Sequence, residues 1–251
     1  IWRFPYKAGQ YGGGAFVVAY LVSVMIIGIP VMIAEFVIGR SAQRSPVGAF
    51  KTLRDSRLWP LVGWLGLLTG FIILSYYNVV GGWILKYIVL SCTSQYQSGI
   101  AAERFNSFLS DGWQQTTWLF LYSMINILIV RRGISSGIEK WSKILLPSLL
   151  VLLLGLMFKA LMTEGASKGV SFLLKPDFTK LTRDGMLEAL GHAFFSLSLG
   201  MGAMLTYGSY LDKNTNISLS ALWITLLNTV YAIMAGLMIF PLVFTYGVDP
   251  A

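Results

Sequence analysis

Apolar residues fill six long stretches of the chain, approximately 14–39, 60–91, 115–130, 140–162, 186–211 and 218–247, while charged residues, Gly and Pro gather in the short segments between them. About 20 residues of helix cross a hydrocarbon core, so the pattern predicts six transmembrane helices preceded by a short helical stub over 1–9. One stretch departs from it. Between Gly191 and Leu211 the middle carries Ser196, Ser198, Gly200 and Gly202. Hydrocarbon offers no hydrogen-bond partners, so a helix interrupted at that depth persists only where its freed N–H and C=O groups meet a ligand, a cavity or other protein. Interruptions of this kind mark transport sites, and Gly200-Met201-Gly202 equally fits close helix packing.

Composition moves the reading further from a soluble domain. Of 251 residues, 55% are hydrophobic, 14% aromatic and only 12% charged, which predicts an all-α integral membrane protein. The formal charge of +8 would suit an acidic partner or nucleic acid, but its distribution follows a membrane. Arg40, Arg44, Lys51, Arg54 and Arg57 stand against Asp55, and Arg131, Arg132, Lys140 and Lys143 against Glu139. Both basic loops are expected on the cytoplasmic side. Alternation of six spans then puts the loop 163–186 outside, where Lys168, Lys175, Lys180 and Arg183 meet Glu164, Asp177 and Asp184. No nucleic-acid partner is implied. Cys92 is the single cysteine and His192 the single histidine, so an intrachain disulfide and a three- or four-ligand metal centre are both excluded. Hydrolytic triads and phosphate-binding loops are also missing, which argues against an enzyme. The chain opens Ile1-Trp2-Arg3 and stops at Asp249-Pro250-Ala251 directly after a helix, and reads as a fragment.

Several residues carry chemistry at membrane depth. Gly28-Ile29-Pro30 is expected to kink the first full helix. Glu35 in its inner half is either an interfacial carboxylate snorkelling toward the basic loop or a buried acid accepting bonds from freed backbone. Tyr76 and Tyr77 point about 100° apart, so one of the two faces a bundle interior. Its hydroxyl bonds either a backbone carbonyl or a substrate carboxylate. Ser136 and Glu139 fit a capping box at the start of the span 140–162, and Pro147 within that span frees a carbonyl. Ser196 and Ser198 offer neutral oxygens to a hard monovalent cation, with the broken helix supplying carbonyls and a positive N-terminal end for an anionic group. Asn228, mid-span in the last helix, needs a polar partner and could supply one more oxygen. His192 is expected to pack with its ring satisfied.

Trp2-Arg3-Phe4-Pro5-Tyr6, Gly12-Gly13-Gly14-Ala15-Phe16, Gly28-Ile29-Pro30 with Glu35, Tyr76-Tyr77 and Phe195-Ser-Leu-Ser-Leu-Gly-Met-Gly202 together resemble the neurotransmitter:sodium symporter family, of bacterial amino-acid transporter type. The resemblance runs from the outer half of the family's first helix through its seventh. It implies the inverted-repeat, broken-helix transporter fold of the LeuT type, incomplete in this chain, as a single transmembrane domain. It makes Tyr77 the tyrosine that bonds the substrate carboxylate, Phe195 the aromatic lid and Arg3 the extracellular gate. Ser196 and Asn228 match sodium ligands, while Ile73, Ser198 and Met201 match the side-chain pocket, which Ser196 adjoins. Gly137 and Pro147 match a pattern tied to inner opening of the fifth helix, and Glu35 a structural acid. Tyr20, His192, Ser196 and Asn228 fall where animal relatives bind chloride. Asn228 replaces an Asp, and His192 a Gln, common among relatives.

The expected function is therefore sodium-coupled symport of amino acids, hydrophobic or aromatic given the adaptable Met201, by alternating access. Sodium is the coupling ion, the partners are a small amino acid and the lipid bilayer, and the location is the plasma membrane, of bacterial inner-membrane type. The rivals are a non-transporting scaffold or receptor-like subunit, and a channel subunit, which would call for a continuous polar lining.

Overall fold

The computed structural model describes residues 2–53, 58–93 and 101–250, apart from the side chains of Ala101, Ala102 and Ser135. Arg54, Asp55 and Arg57 of the first basic loop lie outside the described residues. The chain divides into two compact units, Ile1–Leu68 with Ser148–Ala251, and Thr69–Pro147. The divisions fall inside two long helices.

The first unit begins with α1 (Arg3–Gln10), a turn through Gly12 and Gly13, and α2 (Gly14–Ser23). A π-helical turn, Val24–Gly28, then leads directly into α3 (Ile29–Ala42). Pro30 sits in the first turn of α3, where its missing N–H would otherwise leave a gap in an uninterrupted helix. The wider turn just before it absorbs that irregularity, so the feature expected as a kink at Gly28-Ile29-Pro30 is a π turn. The short α4 (Pro46–Leu53) follows.

Helix α5 (Trp59–Cys92) carries the chain into the second unit, where α6 (Ala101–Ser110) packs on α7 (Gly112–Val130). Asp111 caps α7 by accepting the Gln114 amide at 3.0 Å. A second π turn, Ile134–Glu139, precedes α8 (Lys140–Leu161). The capping box expected here does not form. Gly133 stands at the cap with no side-chain bond, Ser136 Oγ donates back to the Arg132 carbonyl, and Glu139 pairs with Lys143 at 2.6 Å. The π turn places Ser136 inside the coil rather than ahead of it, so its hydroxyl meets a preceding carbonyl.

Back in the first unit, α9 (Ala166–Leu174) and a 3₁₀ turn (Phe178–Lys180) occupy the connector that was expected to be plain loop. The stretch 186–211 is two helices, α10 (Arg183–Ser196) and α11 (Ala203–Ser209), parted by an unwound segment. Thr182 caps α10 through the Gly185 amide at 3.1 Å. Last comes α12 (Ile217–Thr245), capped by Asn216 through the Leu219 amide at 3.0 Å.

Among the described residues, Gly14–Ala42, Trp59–Cys92, Ser136–Leu161 and Ile217–Thr245 are long and apolar enough to cross a membrane. In the first unit α10 packs on α2, α11 on α3, and α12 on α9 and α3. The core they share includes Phe4, Phe16, Tyr20, Met32, Phe36, Leu173, Ala193 and Leu197. The α3–α11 contact is close: Cβ atoms at Gly39 and Gly208 would fall on the backbone of Leu205 and Phe36 respectively, so small residues set the distance between the two helices.

Candidate functional site

The site is built around the interruption between α10 and α11. Helical bonding ends at Ser196, where the amides of Leu197, Ser198 and Leu199 still reach back to the carbonyls of Ala193, Phe195 and Phe194. Ser198, at φ 56°, and Gly200 and Gly202, both at φ 76°, then turn the chain through the left-handed region. That region is open to Gly and costs a residue with a Cβ about 1 kcal/mol or more, which explains the glycines. Within the segment Leu197 and Leu199 are buried in the core, and Ser196, Ser198 and Met201 are half-buried. The turns thus send the two leucines into the core and leave the hydroxyls half-buried beside it.

Glu35 holds this unwound chain. The side chain is buried, and its Oε1 accepts the Gly200 amide at 2.7 Å. Its second oxygen, Oε2, makes no hydrogen bond among the described residues. A carboxylate is a strong acceptor for an amide released from a helix, and of the two readings open from the sequence the geometry fits the buried one.

Beside the end of α10, three side chains from three helices form a triangle. Tyr20 Oη and Ser196 Oγ are 3.2 Å apart, and Asn228 Nδ2 donates to Tyr20 Oη at 3.0 Å and to Ser196 Oγ at 3.3 Å. With its nitrogen turned to both hydroxyls, the Asn228 carbonyl oxygen points away from them and keeps its acceptor capacity. The set therefore has two chemical faces. Ser196 Oγ and Asn228 Oδ1 are oxygens suited to a hard cation, which needs further carbonyls to complete its shell. The O–H and N–H groups of Tyr20, Ser196 and Asn228 are neutral donors suited to a halide.

His192 stands one turn before Ser196, inside a ring of aromatic side chains. Its ring centroid lies 5.4 Å from Tyr20, 5.6 Å from Phe4, and 6.5 Å from both Phe16 and Phe195. The packing expected from the sequence is present, but the ring is not satisfied. Nδ1 is buried without a hydrogen-bond partner among the described residues, because the surrounding side chains offer ring faces and edges instead of acceptors.

Above this layer, the Arg3 guanidinium carbon lies 4.4 Å from the centre of the Phe195 ring, a cation–π geometry whose strength is about 0.5–2 kcal/mol. One turn further along α1, Lys7 Nζ pairs with Glu188 Oε1 at 3.1 Å. The sequence reading missed this ion pair and the Phe4 and Phe16 walls around His192. Helical spacing carried the signal, since Arg3 and Lys7 lie four apart on α1, as do Glu188 and His192 on α10.

The first unit thus brings together Arg3, Tyr20, Glu35, His192, Phe195, Ser196 and Asn228, with Ser198 and Met201 on the adjoining unwound segment. Ile73, Tyr77, Gly137 and Pro147 belong to the second unit. There Tyr76 and Tyr77 are each about half exposed, 51% and 47%, with their rings edge to face at 6.0 Å. Ile73 lies one turn before Tyr77 and is half-buried. Gly137 is buried in the π turn against the Ile129 carbonyl, and Pro147 lies exposed within α8.

The model of the sodium:neurotransmitter symporter family matches residues 1–111 and 106–246. YhdH of Bacillus subtilis, an uncharacterized sodium-dependent transporter, is 41% identical over 100% of this chain and 56% of its own length. The sodium-dependent neutral amino acid transporter B(0)AT1 of Rattus norvegicus is 25% identical over 97% of this chain and 43% of its own. The crystal structure of MhsT in complex with L-phenylalanine matches with a TM-score of 0.94 at 42% identity, over 100% of this chain and 58% of that one. The chain spans about half the length of the curated relatives it matches.

Proposed function

Because the chain belongs to the sodium:neurotransmitter symporter family, whose members are multi-pass membrane transporters and not enzymes, we propose that it forms part of a sodium-coupled symporter of amino acids. It has the broken-helix fold of the LeuT type. The whole chain is taken as one transmembrane transporter domain, resident in the plasma membrane and of bacterial inner-membrane type. One observation carries the reading: the break from Leu197 to Gly202, tied to Glu35 on one side and flanked by the Tyr20–Ser196–Asn228 triangle on the other.

In this reading sodium takes Ser196 Oγ and Asn228 Oδ1 with carbonyls of broken helices, and its charge draws the carboxylate of the amino acid. Tyr77 donates to that carboxylate. Phe195 closes over the substrate, and Arg3, stacked on it, gates the outer side. Ile73, Ser198 and Met201 surround the substrate side chain, and a hydrophobic or aromatic amino acid is the class supported by the flexible thioether and by the L-phenylalanine of the MhsT complex. Gly137 and Pro147 weaken the start of α8, where inward opening would begin. The neutral donors Tyr20, Ser196 and Asn228, with His192 beside them, leave chloride as a second ion to be tested.

Uptake of labelled phenylalanine by the full-length protein in proteoliposomes tests the proposal. Uptake is expected with an inward sodium gradient and not with choline, and Tyr77→Phe is expected to lower it at least tenfold, the loss of a hydrogen bond to a charged group. Sodium-independent uptake, or a variant equal to the parent, would sink the assignment. Replacing chloride by gluconate decides whether the second ion takes part.

A further inference from the structure

We propose that the cavity bounded by α9, the Phe178–Lys180 turn and the last turn of α12 is a binding site for a phosphate group, carried by an anionic phospholipid or free in solution. The cavity has a volume of about 670 Å³ and lies entirely within the first unit. Lys168, Lys175 and Lys180 line it, together with Ser167 and Ser171. Helix α9 buries Gly169 and Leu173 against α12, and Ser167, Lys168 and Ser171 recur at the spacing that places them along its other face. Lys175 stands at the end of that helix and Lys180 ends the 3₁₀ turn, so the cluster is gathered by a packed helix, its cap and the turn that follows.

The charge is only partly offset within the lining. None of the three ammonium groups has an ion pair or hydrogen bond among the described residues. The one carboxylate in the lining, Asp177, has its Oδ1 engaged by the Thr179 hydroxyl at 2.6 Å and the Thr179 amide at 3.1 Å. Three positive charges therefore face the cavity against the single negative charge of Asp177, which interacts with Lys180. The lysines also run against the charge pattern of the chain, which concentrates basic residues on the cytoplasmic side and assigns this loop to the outside.

Chemistry narrows the ligand. Lysine ammoniums are mobile point charges that converge on a tetrahedral polyanion, and two serine hydroxyls add neutral donors. Phe172 and Phe244, whose rings meet at 5.6 Å, give the same cavity an apolar wall. Phe244 brings the cavity to the last turn of α12, and headgroups lie at the ends of helices that cross a membrane. A phosphodiester with a hydrocarbon tail satisfies the basic groups and the aromatic wall together. The proposal does not depend on the transport reading.

Native mass spectrometry of the full-length protein with phosphatidylglycerol or phosphatidylcholine tests it, alongside thermal shift with inorganic phosphate alone. Phosphatidylglycerol is expected to be retained roughly tenfold or more over phosphatidylcholine, since each lysine near an anionic headgroup adds to binding. The triple substitution Lys168→Gln, Lys175→Gln, Lys180→Gln should remove the preference, and the corresponding three arginine substitutions should keep it. Lys51→Gln with Lys213→Gln, far along the sequence, should leave it unchanged. Displacement of the lipid by inorganic phosphate identifies the free ion as the source, and failure to displace identifies the lipid. Equal retention of both lipids with no shift in phosphate, or a triple glutamine variant that behaves as the parent, overturns the site. An equal loss in the Lys51 and Lys213 control also overturns it, because the effect would then be general surface charge.

Discussion

His192 lies among Phe4, Phe16, Tyr20 and Phe195 with Nδ1 buried and unbonded, and at such a position polarity is a cost. A buried group without a partner loses about 1–3 kcal/mol of solvation, while an aromatic ring of similar size keeps the packing. His192→Phe is therefore expected to leave the melting temperature unchanged or to raise it, and His192→Ala to lower it through a cavity of the kind that costs about 2–5 kcal/mol. A lower melting temperature in the phenylalanine variant would mean that the imidazole makes a bond the geometry does not contain. The sequence could identify His192 as one residue among apolar neighbours. It could not say that Nδ1 has no partner among the described residues, because Phe4 and Phe16 come from helices remote in the chain. Glu35 was more legible: one of the two readings open from the sequence had it accept bonds from freed backbone, and Oε1 lies 2.7 Å from the Gly200 amide.

At the scale of elements, the break between α10 and α11 rests on two glycines in one backbone region but in different surroundings. A Cβ at Gly202 would come within 2.8 Å of Pro46 Cγ on α4, whereas one at Gly200 would meet nothing within 4 Å. Gly200→Ala should cost only the backbone term, about 1–2 kcal/mol. Gly202→Ala adds a steric clash and should cost more, read as a lower melting temperature in detergent. Equal effects would show that α4 yields freely. Outside the membrane, the 3₁₀ turn depends on Asp177, whose carboxyl is held below its ordinary value of 3.8 by the Thr179 hydroxyl and then the Thr179 amide. A lowered folded value means that the contribution is complete above the ordinary aspartate range and is lost as pH falls through the lowered one. Amide exchange at Thr179, corrected for its intrinsic pH dependence, should be constant from pH 7 to about 5 and lose protection below about 4. Asp177→Asn should flatten that change. The turn itself, like α9 and α6, was not legible as structure: at 9 and 10 residues the two helices fall short of the long apolar stretches that mark membrane crossings, and their apolar faces gain meaning only once Leu173 and Phe108 are buried.

For the whole molecule, a ligand that binds only the folded state raises its stability by mass action. Sodium at about a hundred times its dissociation constant would add about 2.7 kcal/mol, so the full-length protein should melt higher in sodium than in choline. Asn228→Leu, which removes the bonds to Tyr20 and Ser196 at 3.0 and 3.3 Å, should abolish that difference and lower the baseline by about 2 kcal/mol. A sodium shift that survives would place the ion elsewhere. The long apolar stretches made the helical membrane fold legible, because hydrocarbon leaves a chain few alternatives. The partners of Tyr20 were not legible, because they lie 176 and 208 positions away along the chain.

The π turn before α3 has a mechanical consequence. Helix α10 lies on α2 and α11 on α3, so each half of the broken helix is paired with one half of the helix it packs against. The irregularities that separate those halves are neighbours: a Cβ at Gly28, the last residue of the π turn, would sit 2.8 Å from Leu197 Cδ1, the first residue past α10. Two joints therefore share one level in the protein. A bend at that level would leave both packed pairs, α2 with α10 and α3 with α11, intact. A single straight helix in place of α2 and α3 would splint the joint opposite it.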